Sequence, residues 1–220
     1  MQNTKIIYSV LIFLFFSLTV DAQEFYIETG FGSAFFEDYR NRSGKENILD
    51  DRYSRPKRPF IETGFRFNLY KERVHLNLGA GYHTYEINTD FSVGDTKVPT
   101  SYNLSYASSK LGIQLAVLKW RDVKLQVHSH VSHDWLTEGT VKYDGTFLDI
   151  YKNRSLDRTL LRIHKGIALE YRISDSISTY LNYNFANSLV EQNEDSREGE
   201  SYSFETKSIS VGLLFNINHA

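Results

Sequence analysis

Stretches in which every second residue is apolar recur along this chain, and the segments between them alternate long, short, long, short, long, short, long. Lys71-Glu72, Arg121-Asp122 and Ser174-Asp175-Ser176 are tight, whereas 37–59, 86–100, 136–157 and 188–201 are long, polar and rich in charge. Alternation with period two is the mark of a strand. Strands joined by turns that are short at one end only run up and down side by side, with the tight turns together. A soluble sandwich has no cause to sort its loops in this way. A barrel crossing an outer membrane does, because its inner turns are short and its outer loops long. Pro56, Pro59 and Pro99, the three prolines, fall in or beside long connections, where no ladder hydrogen bond is lost. The expected fold is all-β: an eight-stranded antiparallel up-and-down transmembrane β-barrel with both ends of the chain on the short-turn side.

Composition is consistent with that fold and puzzling without it. The chain is 41% hydrophobic with a mean hydropathy of -0.40, and beyond the first segment no apolar run approaches the roughly 20 residues of a spanning helix. Yet 15% of the residues are aromatic, with 15 Tyr and 15 Phe. In a membrane barrel only alternate residues face lipid, so mean hydropathy stays low. Met1 to Ala22 reads differently. Lys5 precedes an almost unbroken apolar run from Ile6 to Leu18, and Val20-Asp21-Ala22 offers a cleavage site. These are the parts of a secretory signal peptide, expected over 1–22, leaving one outer-membrane β-barrel over 23–220. The sequence has no cysteine, which excludes disulfides, a cysteine-linked lipid anchor and thiolate metal or redox sites. A formal net charge of -2 gives no reason to expect a nucleic-acid partner.

Parity assigns the faces. Over 24–36, Phe25, Ile27, Phe31 and Phe35 turn outward and Tyr26, Glu28, Gly30 and Gly32 inward. The same alternation turns outward Ile61 and Phe65 in a second strand (60–70), Leu76 and Leu78 in a third, and Leu111 to Val117 in a fourth (102–120). It continues with Leu125 and Val127 in a fifth (123–135), Ile163 and Ile167 in a sixth (159–173), and Leu181 and Tyr183 in a seventh (177–187). The first half of the fourth strand has ambiguous parity, which predicts a bulge or an extension beyond the membrane. Trp120 and Trp135 lie at opposite ends of the barrel wall. About a dozen residues at ~3.3 Å, tilted roughly 40°, separate them by on the order of 30 Å, the height of an apolar band with aromatic girdles. Tyr39 and Tyr70 fit the same girdles.

The closing stretch carries a resemblance. Ser210-Val211-Gly212-Leu213-Leu214-Phe215-Asn216-Ile217 is similar to the assembly signal of outer-membrane barrels, a polar residue followed by glycine two on and hydrophobic residues five and seven on. With the leader, the eight alternating strands and the loop asymmetry, the mature chain resembles the small outer-membrane barrels of Gram-negative bacteria, of the OmpA and OmpX type. The terminal aromatic of that family is replaced by Asn218-His219-Ala220. The resemblance implies a monomer in the cell outer membrane, with membrane lipid and lipopolysaccharide around it and the barrel-assembly machinery as a partner through Ser210, Gly212, Phe215 and Ile217.

An eight-stranded barrel is just wide enough for side chains to fill it. Glu28, Glu62, Arg66, Lys124, Arg162, Glu170 and Arg172 point inward by parity, and buried charges must be paired. A lumenal salt-bridge network that plugs the barrel is expected, with an ion path or small-ligand cavity as the alternative. His75, His83, His128, His130 and His164 also face inward, but nothing sets a metal geometry, so no metal or cofactor is expected. His130-Val131-Ser132 resembles the active strand of outer-membrane lipid A deacylases, which would make His130 the general base and Ser132 the nucleophile, with Glu138 or Asp134 orienting the imidazole. His133 stands where that family has asparagine. At the rim, Arg52, Arg55, Lys57 and Arg58 form a basic cluster suited to lipopolysaccharide phosphates, facing the acidic run of Glu191, Glu194, Asp195, Glu198 and Glu200. The leading expectation is a non-catalytic barrel with a structural or surface-contact role through its outer loops.

Overall fold

The structure is a computed structural model and describes residues 23–40, 55–93, 96–143, 145–153, 158–189 and 201–217; the expected signal peptide, Arg52 and the acidic run at 191–200 lie outside them. Its elements are β1 (Gln23–Arg40), β2 (Arg58–Tyr70), β3 (Val74–Val93), β4 (Thr96–Trp120), β5 (Val123–Tyr143), β6 (Thr146–Asp149), the short helix α1 (Ile150–Asn153), β7 (Thr159–Arg172), β8 (Ile177–Ser188) and β9 (Ser201–Asn216). Every pairing is antiparallel, and the order β4-β3-β2-β1-β9-β8-β7-β5 is closed by β4 pairing with β5. Eight strands therefore form a ring, and β6 is a short addition to the upper part of β5.

The register sets the tilt. From Glu24 the cross-strand partners run through Arg66, Asn77, Gly112, His130, His164, Ala186 and Thr206, and return to β1 at Ala34. Ten residues of stagger over eight strands correspond to a tilt of roughly 40°. Such a ring leaves an interior that side chains can fill.

Over most of the ring the outward face is apolar and exposed. Ile27, Phe31, Ile61, Phe65, Leu78, Ile113, Leu115, Ile167, Leu181 and Val211 all lie open, and they form a continuous belt. The inward face is polar and buried, with Glu28, Arg66, His75, Gln126, Arg162 and Glu170 among its residues. Higher up, the pattern inverts. Ala34, Phe36, Tyr85, Ile87, Leu104, Tyr106, Leu136, Leu160 and Phe204 continue the inward parity and, with Ile150 of α1, form a hydrophobic core at the mouth. Phe204 is central, with ring centroids of Tyr85, Phe36 and Tyr106 at 5.3, 5.8 and 5.8 Å. Outward neighbours at this height are Glu86, Asn103, Ser105 and Glu138. A wall facing lipid must be apolar outside, whereas one facing water must bury its apolar residues inside. The level of inversion marks the outer edge of the membrane.

This inversion corrects two expectations. The segments 86–100 and 136–157 are not loops throughout: β3 and β4 run up to Val93 and down from Thr96, and β5 continues to Tyr143. The ambiguous parity of β4 does not come from a bulge in that strand's first half, since Tyr102, Leu104, Tyr106, Lys110 and Gln114 keep one side. The apolar residues change sides there because the solvent outside changes from lipid to water. The irregularities lie elsewhere: β5 carries an extra residue between Leu136 and Glu138, and β4 carries one between Ala116 and Leu118. The extension beyond the membrane is present.

Candidate functional site

The lumen is the one region of the described residues where titratable groups converge, because eight inward faces meet there. At the short-turn end Arg66 bonds Glu24 through Nε and donates from a terminal nitrogen to Glu170 Oε2 at 2.7 Å, while Lys124 Nζ lies 3.3 Å from Glu170 Oε1. Above it a ladder of amides runs along the inner wall from β3 through β4 to β5: Asn77 Nδ2 donates to Gln114 Oε1 (2.8 Å), and Gln114 Nε2 to Gln126 Oε1 (2.6 Å). Midway, Lys110 Nζ donates to Glu62 Oε2 at 2.7 Å, with His83 Nε2 3.2 Å from Glu62 Oε1. Glu28 accepts from Tyr180 Oη at 2.7 Å, Asn182 Nδ2 at 3.2 Å and the Ser210 hydroxyl. Near the mouth Arg162 bonds Asp134 and reaches Tyr85 Oη and Thr206 Oγ1 at 3.3 and 3.2 Å. The rings of Tyr85 and Phe204 lie 5.7 and 5.8 Å from its guanidinium carbon, so the hydrophobic core covers the last ion pair.

The space left is small. A cavity of about 40 Å³ lies among Glu28, Glu62, Lys110, Gln114, His128 and Asn184. That volume suits water bridging polar groups and not an organic ligand. Inward glycines explain how aromatic and imidazole rings fit: a Cβ at Gly212 would lie 2.2 Å from the Tyr180 ring, and one at Gly79 2.1 Å from Tyr26 Oη. Gly112 and Gly166 make the same room for His130 and His128. Gly212 and Ser210 are thus parts of the lumen in the finished barrel, while Phe215 meets the Phe25 ring at 6.3 Å and Ile217 is exposed.

The residues expected to line the lumen take different places. Glu28, Glu62, Arg66, Lys124, Arg162 and Glu170 face inward. Arg172 does not: β7 ends there, and its guanidinium bonds Asp122 at 2.9 Å on the exposed turn side. Lys110 was missed, although extending the inward parity of Gln114 and Gly112 by one step identifies it. Asp134, considered only as an orienting carboxylate, is the partner of Arg162. The hydrolase arrangement of His130, Ser132 and Glu138 is not assembled. Ser132 Oγ lies 2.7 Å from His164 Nε2, whereas His130 Nε2 is 3.1 Å from Asn77 Nδ2, and Glu138 is exposed beyond the bulge. Asn184 Nδ2 faces His164 Nδ1 at 3.0 Å. An amide nitrogen only donates, so Nδ1 accepts and Nε2 carries the proton toward Ser132, the reverse of what a general base requires. Ser132 is also fully buried. Among the described residues no group of three or more His, Cys, Asp or Glu side chains is placed to hold a metal ion. At the rim, Arg58 bonds Glu86, Arg55 lies over the Phe35 ring at 3.9 Å, and Lys57 is exposed.

A closed ring, an outward apolar belt and a polar interior define a transmembrane β-barrel of the small outer-membrane type, and the belt is the surface that faces lipid. Solved structures share this fold. The outer membrane protein OprG of Pseudomonas aeruginosa is 11% identical with a TM-score of 0.50, the match covering 88% of this chain and 96% of that one. The outer membrane protease OmpT of Escherichia coli is 7% identical at 0.51, covering 90% and 98%. A major outer membrane protein of Thermus thermophilus is 11% identical at 0.50, covering 89% and 99%. At these identities the likeness is one of fold. No family profile matches the sequence, and no curated protein does.

Proposed function

We propose that this chain is a non-catalytic outer-membrane barrel with a filled, non-conducting lumen that displays the raised wall of β3, β4 and β5 for contact at the cell surface. The supporting observation is the inversion at the mouth. Above it the β3–β4 ribbon rises by about ten residues, or roughly 30 Å of strand, from the hydrophobic core of the mouth. A sheet built to face water on its outside, standing on a barrel whose interior is occupied by ion pairs, suits contact better than transport. The basic rim residues Arg55 and Lys57 are available to headgroups of the outer lipid leaflet, and during assembly the end of β9 and the residue after it present Phe215 and Ile217 to the insertion machinery.

The test joins Tyr85 to Leu104, which pair across the ribbon, by a two-residue turn. The trimmed protein keeps Tyr85 and Leu104 in the mouth core. It is expected to reach the outer membrane and retain a mobility shift between unheated and boiled samples, while attachment and autoaggregation of expressing cells are lost. Unchanged attachment refutes the contact role. Single-channel steps from the purified barrel in a planar bilayer refute the filled lumen.

A further inference from the structure

The outward belt contains one discordant residue. Lys165 lies halfway along β7 on the lipid face, with Ile163 above and Ile167 below it. Lysine on that face costs free energy that rises with depth, and among the described residues Lys165 has no ion pair. Seven residues above the lower end of β7, its Cα stands about 18 Å up a band roughly 25 Å tall. A lysine stem of about 6 Å can carry the ammonium on to the outer headgroup level.

Other residues gather at that place. Lys165 pairs across the sheet with Phe185 of β8, and Phe185 pairs with Lys207 of β9. Lys207 is outward and exposed at the level of inversion, its Nζ 5.8 Å from the Phe185 ring centre and 5.6 Å from that of Phe35. Opposite Lys165 on β5 stands Ser129, a polar gap in the belt. The nearby carboxylate, Glu205, is buried and accepts from Asn187 Nδ2 at 2.8 Å, and it makes no ion pair with Lys207. Two ammonium groups with no ion pair among the described residues thus flank an aromatic ring on a lipid-facing wall, with Arg55 stacked on Phe35 beside them.

We propose that Lys165 and Lys207, with Phe185 between them, seat the phosphate-bearing headgroup of an outer-leaflet glycolipid of the lipid A type. Charge complementarity carries the assignment: the leaflet contacting this face offers phosphates, and ammonium groups drawn up to its level bind them as point charges. Acyl chains of the same lipid lie along Ile167, Leu169 and Tyr183 below. The proposal rests on the membrane-embedded barrel and is independent of the wall's role.

The test refolds the mature chain into phosphatidylcholine vesicles containing bisphosphorylated lipid A or its dephosphorylated form, extracts it in mild detergent, and measures retained lipid by native mass spectrometry. The wild type is expected to keep the bisphosphorylated lipid and to lose the dephosphorylated one. Lys165→Gln with Lys207→Gln lowers retention roughly tenfold or more, and the two arginine replacements preserve it. Equal retention by the glutamine variant, or equal retention of both lipids, overturns the proposal. Displacement of the lipid by inorganic phosphate also overturns it, by making free phosphate the ligand. The mobility shift on heating separates binding from folding: a wild type without it would refute the membrane barrel itself. If the double variant alone lacks the shift, Lys207→Gln, at the edge of the belt, carries the test.

Discussion

Asp134→Asn is expected to cost the barrel about 3 kcal/mol, at the lower end of the range for a broken buried ion pair. Asp134 and Arg162 are each 1% exposed, so neither charge is relieved by solvent in the finished barrel. Asparagine preserves the volume of Asp134, and the loss therefore reports charge and not packing. Removing the carboxylate leaves a guanidinium facing Tyr85 and Phe204 with no anion. Its contacts to Tyr85 Oη and Thr206 Oγ1 at 3.3 and 3.2 Å persist in the variant and keep the loss from reaching about 5 kcal/mol. Reversible urea unfolding in vesicles, followed by tryptophan fluorescence, measures it; a slope of about 1–3 kcal/mol per molar urea converts 3 kcal/mol into a midpoint shift of about 1–3 M. The companion variant pairs Asp134→Leu with Arg162→Met. Replacing both partners by apolar side chains is expected to restore most of the stability, because the desolvation of both ions is then removed. A loss below about 1 kcal/mol for Asp134→Asn, or single and double variants that simply add, refutes the pair as a coupled unit.

Gly212→Ala forces a Cβ to within 2.2 Å of the Tyr180 ring, an overpacking expected to cost about 1–3 kcal/mol, read from the same urea curves. On the turn side, Lys119 Nζ bonds Glu72 at 2.6 Å, and that hydrogen bond and charge hold the Glu72 carboxyl below its ordinary range. A depressed carboxyl stabilises the fold above the unfolded value of about 4.3 and loses that contribution as pH falls through the folded value. With both groups about half exposed the effect is at most about 0.5 kcal/mol. Glu72→Gln is expected to lower stability by that amount at neutral pH and to leave it unchanged in acid. Ser132→Ala is expected to leave the acylation pattern of lipid A unaltered by mass spectrometry, and release of a fatty acid that depends on Ser132 would revive the hydrolase. Single-tryptophan barrels made by Trp120→Phe and Trp135→Phe are expected to be quenched most by shallow brominated lipids, in opposite leaflets.

The ring was legible because lipid and lumen impose opposite demands on alternate residues, and Ile61–Glu62–Thr63–Gly64–Phe65–Arg66 shows both at once. The wall was not. At Glu86, Asn103 and Ser105 the outward residues face water, so the outside no longer selects for apolar side chains, and the inward Ile87 and Leu104 look like scattered hydrophobes in a polar loop. The same change of surroundings hid Lys110, which sits where one pattern gives way to the other. Parity named the inward charges but not their partners. Arg162 with Asp134 and Ser132 with His164 depend on cross-strand register, and register follows from the stagger of the whole ring and not from any local run. Arg172 was misplaced because parity does not say where a strand stops.

Glu28 sits on the first strand, yet the donors that reach it, Tyr180, Asn182 and Ser210, lie 152, 154 and 182 residues later. Until β9 bridges β8 to β1, none of these donors is held beside the carboxylate, and β1 has no neighbour on one edge. Contacts so distant in sequence form late and slowly. A chain cut short before Ser210 is therefore not a smaller barrel but an open sheet with a bare edge and an exposed acid at its seam. Pairing the free edge of β1 and satisfying Glu28 are therefore one event, and both wait on β9.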